Sequence, residues 1–245
     1  MKRPLSAAIL ALALVLLAPA PAFADVETWD WFEARLPLSE GQFGMPQSLR
    51  LFTDTRFGAR FPGGLGQMFF RVGPLWDLHP NLLLAVHFTF YVNQFDPAGR
   101  PGTFETVFRP EFEPNLRGRI GDFTLNDRNR LEYAYSPTRP EGSFWRYRNQ
   151  LRVNYQPVDS KRSWFPYAWN EVLLPFNVGF NQNRLSAGLA FILSKHARLE
   201  TGYMLRSRAS AAGAWEHDHI FNLYLFYAPD IPAIAQKELP TGQGE

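Results

Sequence analysis

Apolar and polar residues alternate along most of this chain with a period of two. Leu82, Leu84, Val86, Phe88, Phe90 and Val92 share one face of a segment whose other face carries Leu83, Ala85, His87, Thr89, Tyr91 and Asn93. Phe104, Thr106, Phe108, Pro110 and Phe112 oppose Glu105, Arg109, Glu111 and Glu113. Trp145, Tyr147, Asn149, Leu151, Val153 and Tyr155 alternate with Arg146, Arg148, Gln150, Arg152 and Asn154. The same rhythm sets Leu185, Ala187, Leu189, Phe191 and Leu193 against Arg184, Ser186 and Gly188, and Leu199, Thr201, Tyr203 and Leu205 against Arg198, Glu200 and Arg206. Phe221, Leu223, Leu225 and Tyr227 close the series. Successive side chains of an extended backbone leave on opposite sides, so this period predicts β-strands. Less regular runs over 47–60, 65–77, 120–135 and 164–177 read the same way. Turn residues cluster at 62–64, 96–99, 137–142 and 207–213.

Two properties of these segments point to a membrane wall. Their apolar faces run for five or six alternate positions, the reach a tilted strand needs to cross hydrocarbon. Their opposite faces are charged. A soluble sandwich also alternates, but it seldom uses so many strands of this length. The expected fold is therefore all-β, a single antiparallel transmembrane barrel over residues 25–228. Trp76, Trp145, Tyr155, Trp164, Trp169 and Tyr227 lie near segment ends, where interfacial aromatic girdles belong. Counting back from the last segment gives ten strands over about 46–228, with 28–36 as an eleventh candidate. Bacterial single-chain barrels have even counts. Ten or twelve strands are thus expected, with twelve favoured. Short turns at 77–80, 117–121 and 194–196 are assigned to the periplasmic side, and longer ones near Asp96, Pro137 and Ser207 to the outside.

The first residues supply the route to that membrane. Met1-Lys2-Arg3 is basic, residues 7–18 are apolar without a charge, and Ala22-Phe23-Ala24 is a small-x-small cleavage site. Together they predict a secretory signal peptide over 1–24, cleaved after Ala24. The apolar run is short for a membrane anchor and ends at Pro19 and Pro21. Removing Lys2 and Arg3 lowers Lys+Arg from 25 to 23, which balances the 23 acids. The mature chain is then neutral, and nothing in its charge calls for nucleic acid. The chain has no cysteine, which excludes disulfides, zinc-thiolate sites, a thiol nucleophile and a lipoprotein anchor. Residues 229–245 are expected to form a C-terminal tail.

Several local motifs resemble those of domain-of-unknown-function family 2490. They are Pro166-Tyr167-Ala168-Trp169-Asn170-Glu171, Phe180-Asn181-Gln182-Asn183-Arg184-Leu185 with Ala187-Gly188-Leu189, and Leu199-Glu200-Thr201-Gly202-Tyr203-Met204. Arg130-Leu131-Glu132-Tyr133 and Arg146-Tyr147-Arg148 with Leu151-Arg152 match the family's arginine-bearing strands. The resemblance covers about 105–228, is weaker over 25–104, and is absent after Ala228. It implies an outer-membrane barrel and supplies no catalytic residue and no cofactor. The partners that follow are outer-membrane lipid, lipopolysaccharide and the barrel assembly machinery, with the solute left open.

The candidate chemistry is a charge ladder on the predicted lumen face: Arg109, Glu111, Glu113, Arg128, Arg130, Glu132, Arg146, Arg148, Arg152, Glu171, Arg184, Arg198, Glu200 and Arg206. Arginine greatly outnumbers lysine, which suits bidentate pairing in confined places. Such a ladder either fills a narrow interior with ion pairs or lines a passage that attracts anions. The leading expectation is a narrow pore or membrane-structural barrel without catalysis. A lipid- or lipopolysaccharide-modifying enzyme using His87 or Ser186 is the alternative. An adhesin acting through its loops is a third reading, weakened by their short length. His217 and His219 share a strand face but lack a third metal ligand, so no metal site is expected.

Overall fold

The computed structural model describes residues 26–38, 46–58, 65–94, 104–137, 140–157, 162–210 and 213–229. The predicted signal peptide, and the predicted tail beyond residue 229, lie outside the described residues. Within them the alternating segments form β1 (Val26–Pro37), β2 (Ser48–Gly58), β3 (Leu65–His79), β4 (Leu82–Gln94), β5 (Phe104–Ile120) and β6 (Phe123–Ala134). They continue as β7 (Phe144–Tyr155), β8 (Trp164–Pro175), β9 (Gln182–Ser194), β10 (Ala197–Ala209) and β11 (Trp215–Tyr227). A single 3-10 turn, Pro140–Gly142, precedes β7. Each strand pairs with its neighbours in sequence, and β1 closes on β11 to complete a barrel.

The expected ten or twelve strands are corrected to eleven. Residues 28–36 lie wholly within β1, a full wall strand in which Phe32 pairs with Thr53 of β2 and Leu225 of β11. In an up-and-down meander of odd number, the first and last strands point the same way. Closure then requires one parallel seam, and β1 and β11 supply it from Val26↔His219 to Ala34↔Tyr227. Parallel pairing is slightly weaker per residue than antiparallel pairing. It nevertheless removes both open edges of the sheet, whose unpaired backbone groups would be far costlier in lipid.

Two-residue turns join β3 to β4, β5 to β6 and β9 to β10, all at one end of the barrel. The turn expected over 117–121 is shorter and later, because β5 runs on to Ile120 and Gly121-Asp122 makes the reversal. Gly121 has φ 56°, a left-handed conformation that favours glycine.

The wall is apolar outside and polar inside. Phe88 is 64% exposed and Leu185 54%, whereas Glu113 and Glu132 are fully buried. Trp76, Trp145, Tyr155, Trp164 and Tyr227 alternate onto the outer side near strand ends. Trp169 does not. It shares inward parity with Glu171 and packs in a lumen cluster with Trp29, Phe165, Tyr167, Ala190, Met204 and Ile220. A second inward cluster, Phe69, Tyr91, Val107 and Ala134, lies against Phe52 and Phe144. The lumen is therefore partly filled by aromatic bulk, as narrow barrels tend to be.

Candidate functional site

Four inward glutamates organise the lumen. Glu111 and Glu113 stand on β5, Glu132 on β6 and Glu171 on β8, none more than 3% exposed. Glu113 accepts from Arg50 at 2.8 Å and from Arg130 Nε at 2.7 Å. Glu111 accepts from Arg109 at 2.7 Å and from the Thr89 hydroxyl at 2.7 Å, and its second oxygen lies 3.0 Å from Arg71 Nε. Arg146 pairs with Glu132, which also has Arg109 Nε at 3.3 Å and Arg148 Nη1 at 3.5 Å. Glu171 gathers Arg128 at 3.0 Å, Arg148 at 2.7 Å and Arg184 at 3.0 Å. Arg130, Arg109 and Arg148 each touch two of these glutamates, so the four carboxylates belong to one connected network.

Strand alternation explains how this arises. Residues two apart on one strand share a face, and the ladder register then sets strand neighbours side by side. Glu111 is thus opposite Glu132, and Arg130 opposite Arg148. Like charges across a rung are tolerable only because the next rung offers the opposite sign. The remaining ladder members form smaller groups. Arg152 binds Glu200 through two bonds of 2.8 Å, and Arg198 shares that carboxylate at 2.9 Å. Arg206 bridges Glu27 and Asp218, each at 2.8 Å. Every residue of the predicted ladder therefore lies on the inward side.

Beside this network runs a cavity of about 830 Å³. Pro80, Asn81 and Arg119 border it at the end with the two-residue turns, and Gln67, Asn93 and Gln182 border it toward the opposite end. Fifteen arginines line it against four carboxylates, Glu33, Asp54, Glu171 and Glu200. Trp29 is among the residues that line it. The guanidinium of Arg56 lies 3.7 Å from its ring centroid, with those of Arg184 and Arg206 at 5.2 and 5.3 Å. These are cation–π distances, and they gather three positive charges around one ring.

Arg50 and Trp29 are among the residues of this site that are absent from the ladder expected above. Both sit in the less regular amino-terminal strands, where parity is the signal that marks them. Arg50 is two positions from Phe52 and four from Asp54, and Trp29 lies two from Glu27 and four from Glu33.

The groups considered for catalysis do not meet. His87 is fully buried on β4, with Nε2 3.4 Å from Arg50 Nη1. Ser186 on β9 donates to the Tyr203 carbonyl at 2.9 Å and accepts from Asn222. His87, Glu111 and Glu113 bring three potential metal-ligand atoms within 4.8 Å of one another. Arg50, Arg71, Arg109 and Arg130 already occupy those carboxylates, so an entering cation would meet guanidiniums. His217 and His219 alternate onto the outer side, bonded to Ser207 at 2.9 Å and to the Tyr203 hydroxyl at 2.5 Å, while Asp218 pairs with the lumen Arg206.

A family model described as "Protein of unknown function (DUF2490)" matches residues 28–217. No curated protein sequence matches the chain. Among solved structures, the barrel is similar to the loop L8 deletion mutant of OmpT, an outer membrane protein of Vibrio cholerae. That similarity has 13% identity, covers 74% of this chain and 64% of the other, and has a TM-score of 0.38. Outer-membrane expressed OmpT of Vibrio cholerae is similar at 13% identity over 71% of this chain and 62% of that one, TM-score 0.38. The chain thus spans less than two thirds of the length of either structure.

Proposed function

The chain belongs to the DUF2490 family of proteins of unknown function, and from that premise we propose that it is an outer-membrane barrel whose lumen is a narrow path for small anions. The inside-out distribution of side chains supports the location. A belt of outward phenylalanines and leucines is stable against acyl chains and unstable against water. The observation that carries the anion reading is the cavity wall, fifteen arginines against four carboxylates. Buried glutamates behind the wall fix the guanidiniums in place, and the positive excess faces the open space. A permeating anion trades water for these donors without finding any one of them unpaired and over-tight, the balance conduction requires.

The test is conductance. Purified protein in planar phosphatidylcholine bilayers gives discrete current steps, and in a KCl gradient the zero-current potential has the sign of chloride preference. Arg128→Gln with Arg184→Gln moves that potential toward the cation side. Silence across a wide voltage range, or preference for potassium, sinks the proposal.

A further inference from the structure

The outer wall carries a feature that a lipid-facing belt does not explain. On β6 and β7, two outward aromatic pairs mark the edges of the belt. Phe123 and Tyr155 have ring centroids 5.3 Å apart at one edge, and Tyr133 and Trp145 are 5.0 Å apart at the other. Ten residues of a strand tilted by about 40° rise roughly 25 Å, the height of an apolar band. Midway between these pairs the outward side chains are Asp127, Asn129, Tyr147 and Asn149, all half-buried. Asn149 donates to Asp127 at 2.5 Å and to Asn129 at 3.1 Å, and the Tyr147 hydroxyl donates to Asn129.

The patch continues across the next two strands. Asn170 of β8 donates to Asn183 of β9 at 2.7 Å. In the ladder, Asn129, Asn149, Val172 and Asn183 form one row, and Asp127, Leu151, Asn170 and Leu185 form the next. Six polar side chains thus interrupt the belt over four adjacent strands. Polar groups turned toward hydrocarbon are costly unless something satisfies them. The amide N–H groups of Asn183 have no side-chain acceptor among the described residues. Asp127 has amide donors but no cation among the described residues. An exposed pair of small residues, Ala168 and Ala187, faces across β8 and β9 beside Asn170. Small residues of this kind let two membrane walls approach closely.

We propose that this face is the contact between two copies of the chain, a proposal that rests on the membrane reading above. Copies inserted in one direction pair about a two-fold axis along the membrane normal. An axis over the β7–β8 seam sets β6 of one copy opposite β9 of the other. On the two strands beside that axis, Asn149 of one copy then meets Asn170 of the other. Amides donate and accept, so the patch is complementary to itself. An anionic lipid headgroup fits poorly, because alternation turns no Lys or Arg outward on the described strands while it does turn Asp127.

The absence of native cysteine makes a direct test possible. Ala168→Cys marks the patch and Phe90→Cys marks a wall four strands away, each as a single cysteine in phosphatidylcholine–phosphatidylethanolamine vesicles. Labelling reads the membrane reading separately: both thiols resist an aqueous maleimide and react with a membrane-soluble one. Labelling of both from water overturns the location. Mild oxidation then yields a covalent dimer about fivefold more abundantly for Ala168→Cys than for Phe90→Cys, in keeping with the modest strength of polar contacts in membranes. Adding Asn149→Leu and Asn170→Leu abolishes that excess without changing the heat-modifiable mobility of the folded barrel. With the thiols shielded from water, equal cross-linking at the two positions overturns the dimer, as does an excess that survives the leucines.

Discussion

Glu113 is the residue on which most of the lumen rests. It has no exposure, and Arg50 and Arg130 both donate to it. Ion pairs this deep contribute little net stability, because desolvation offsets their attraction, but breaking one strands a buried charge. Glu113→Leu leaves Arg50 with Glu33 alone at 3.1 Å and Arg130 with Glu111 at 3.4 Å, an uncompensated buried positive charge, and is expected to destabilise the barrel by about 3–5 kcal/mol. Urea titration in micelles, followed by tryptophan fluorescence, measures it. The rim pair Arg208–Glu216 is the contrast, since its side chains are 41% and 54% exposed. Arg208→Ala is expected to change stability by less than about 1 kcal/mol in the same titration.

At the scale of elements, glycines decide how closely strands and lumen groups approach. Gly188 and Gly202 are ladder partners on β9 and β10, and the Tyr167 hydroxyl sits over both. A Cβ at Gly188 would lie 2.2 Å from the Thr201 carbonyl oxygen and 2.7 Å from the Tyr167 hydroxyl. Backbone cannot yield as a side-chain tip can, so Gly188→Ala is expected to cost about 1–3 kcal/mol, the usual range for overpacking. The same urea titration shows it, and no loss of stability contradicts the packing described. The closing seam has its own test. Phe32 and Leu225 are partners across β1 and β11. Phe32→Cys with Leu225→Cys should therefore link through a short bis-thiosulfonate reagent, visible as an altered mobility of the denatured chain. Phe32→Cys with Phe221→Cys, four residues or about 13 Å off register, should not. Equal linkage in both variants would mean that the parallel register is wrong.

Across the whole molecule, polarity runs opposite to that of a soluble protein, with charge concentrated in the lumen. The positive excess along the cavity acts through a field that salt screens. The Debye length falls from about 10 Å at 0.1 M to about 3 Å at 1 M. Anion preference is therefore expected to weaken as KCl rises through that range, read from the zero-current potential at fixed gradient ratio. A preference independent of salt would instead point to direct coordination by the arginines around Trp29.

The period of two by itself determines almost all of the wall, because strand faces are a local property. It marks ten of the eleven strands and places Arg109, Glu111, Arg130, Arg148 and Glu171 on one side of it. Parity with Glu171 also makes Trp169 a lumen residue, although its nearness to a strand end reads as a girdle. The same parity turns Asp127 and Asn129 outward from Arg128 and Arg130. Closure lies beyond any local pattern. Whether residues 28–36 complete an odd barrel depends on a seam between the two ends of the chain, and no periodicity encodes a partner so distant in sequence as Leu225 is from Phe32. The pairing of fifteen cavity arginines with few carboxylates is decided there too, because β1 and β2 bring Trp29, Arg50 and Arg56 round to meet β5 through β10 only once the sheet curls shut.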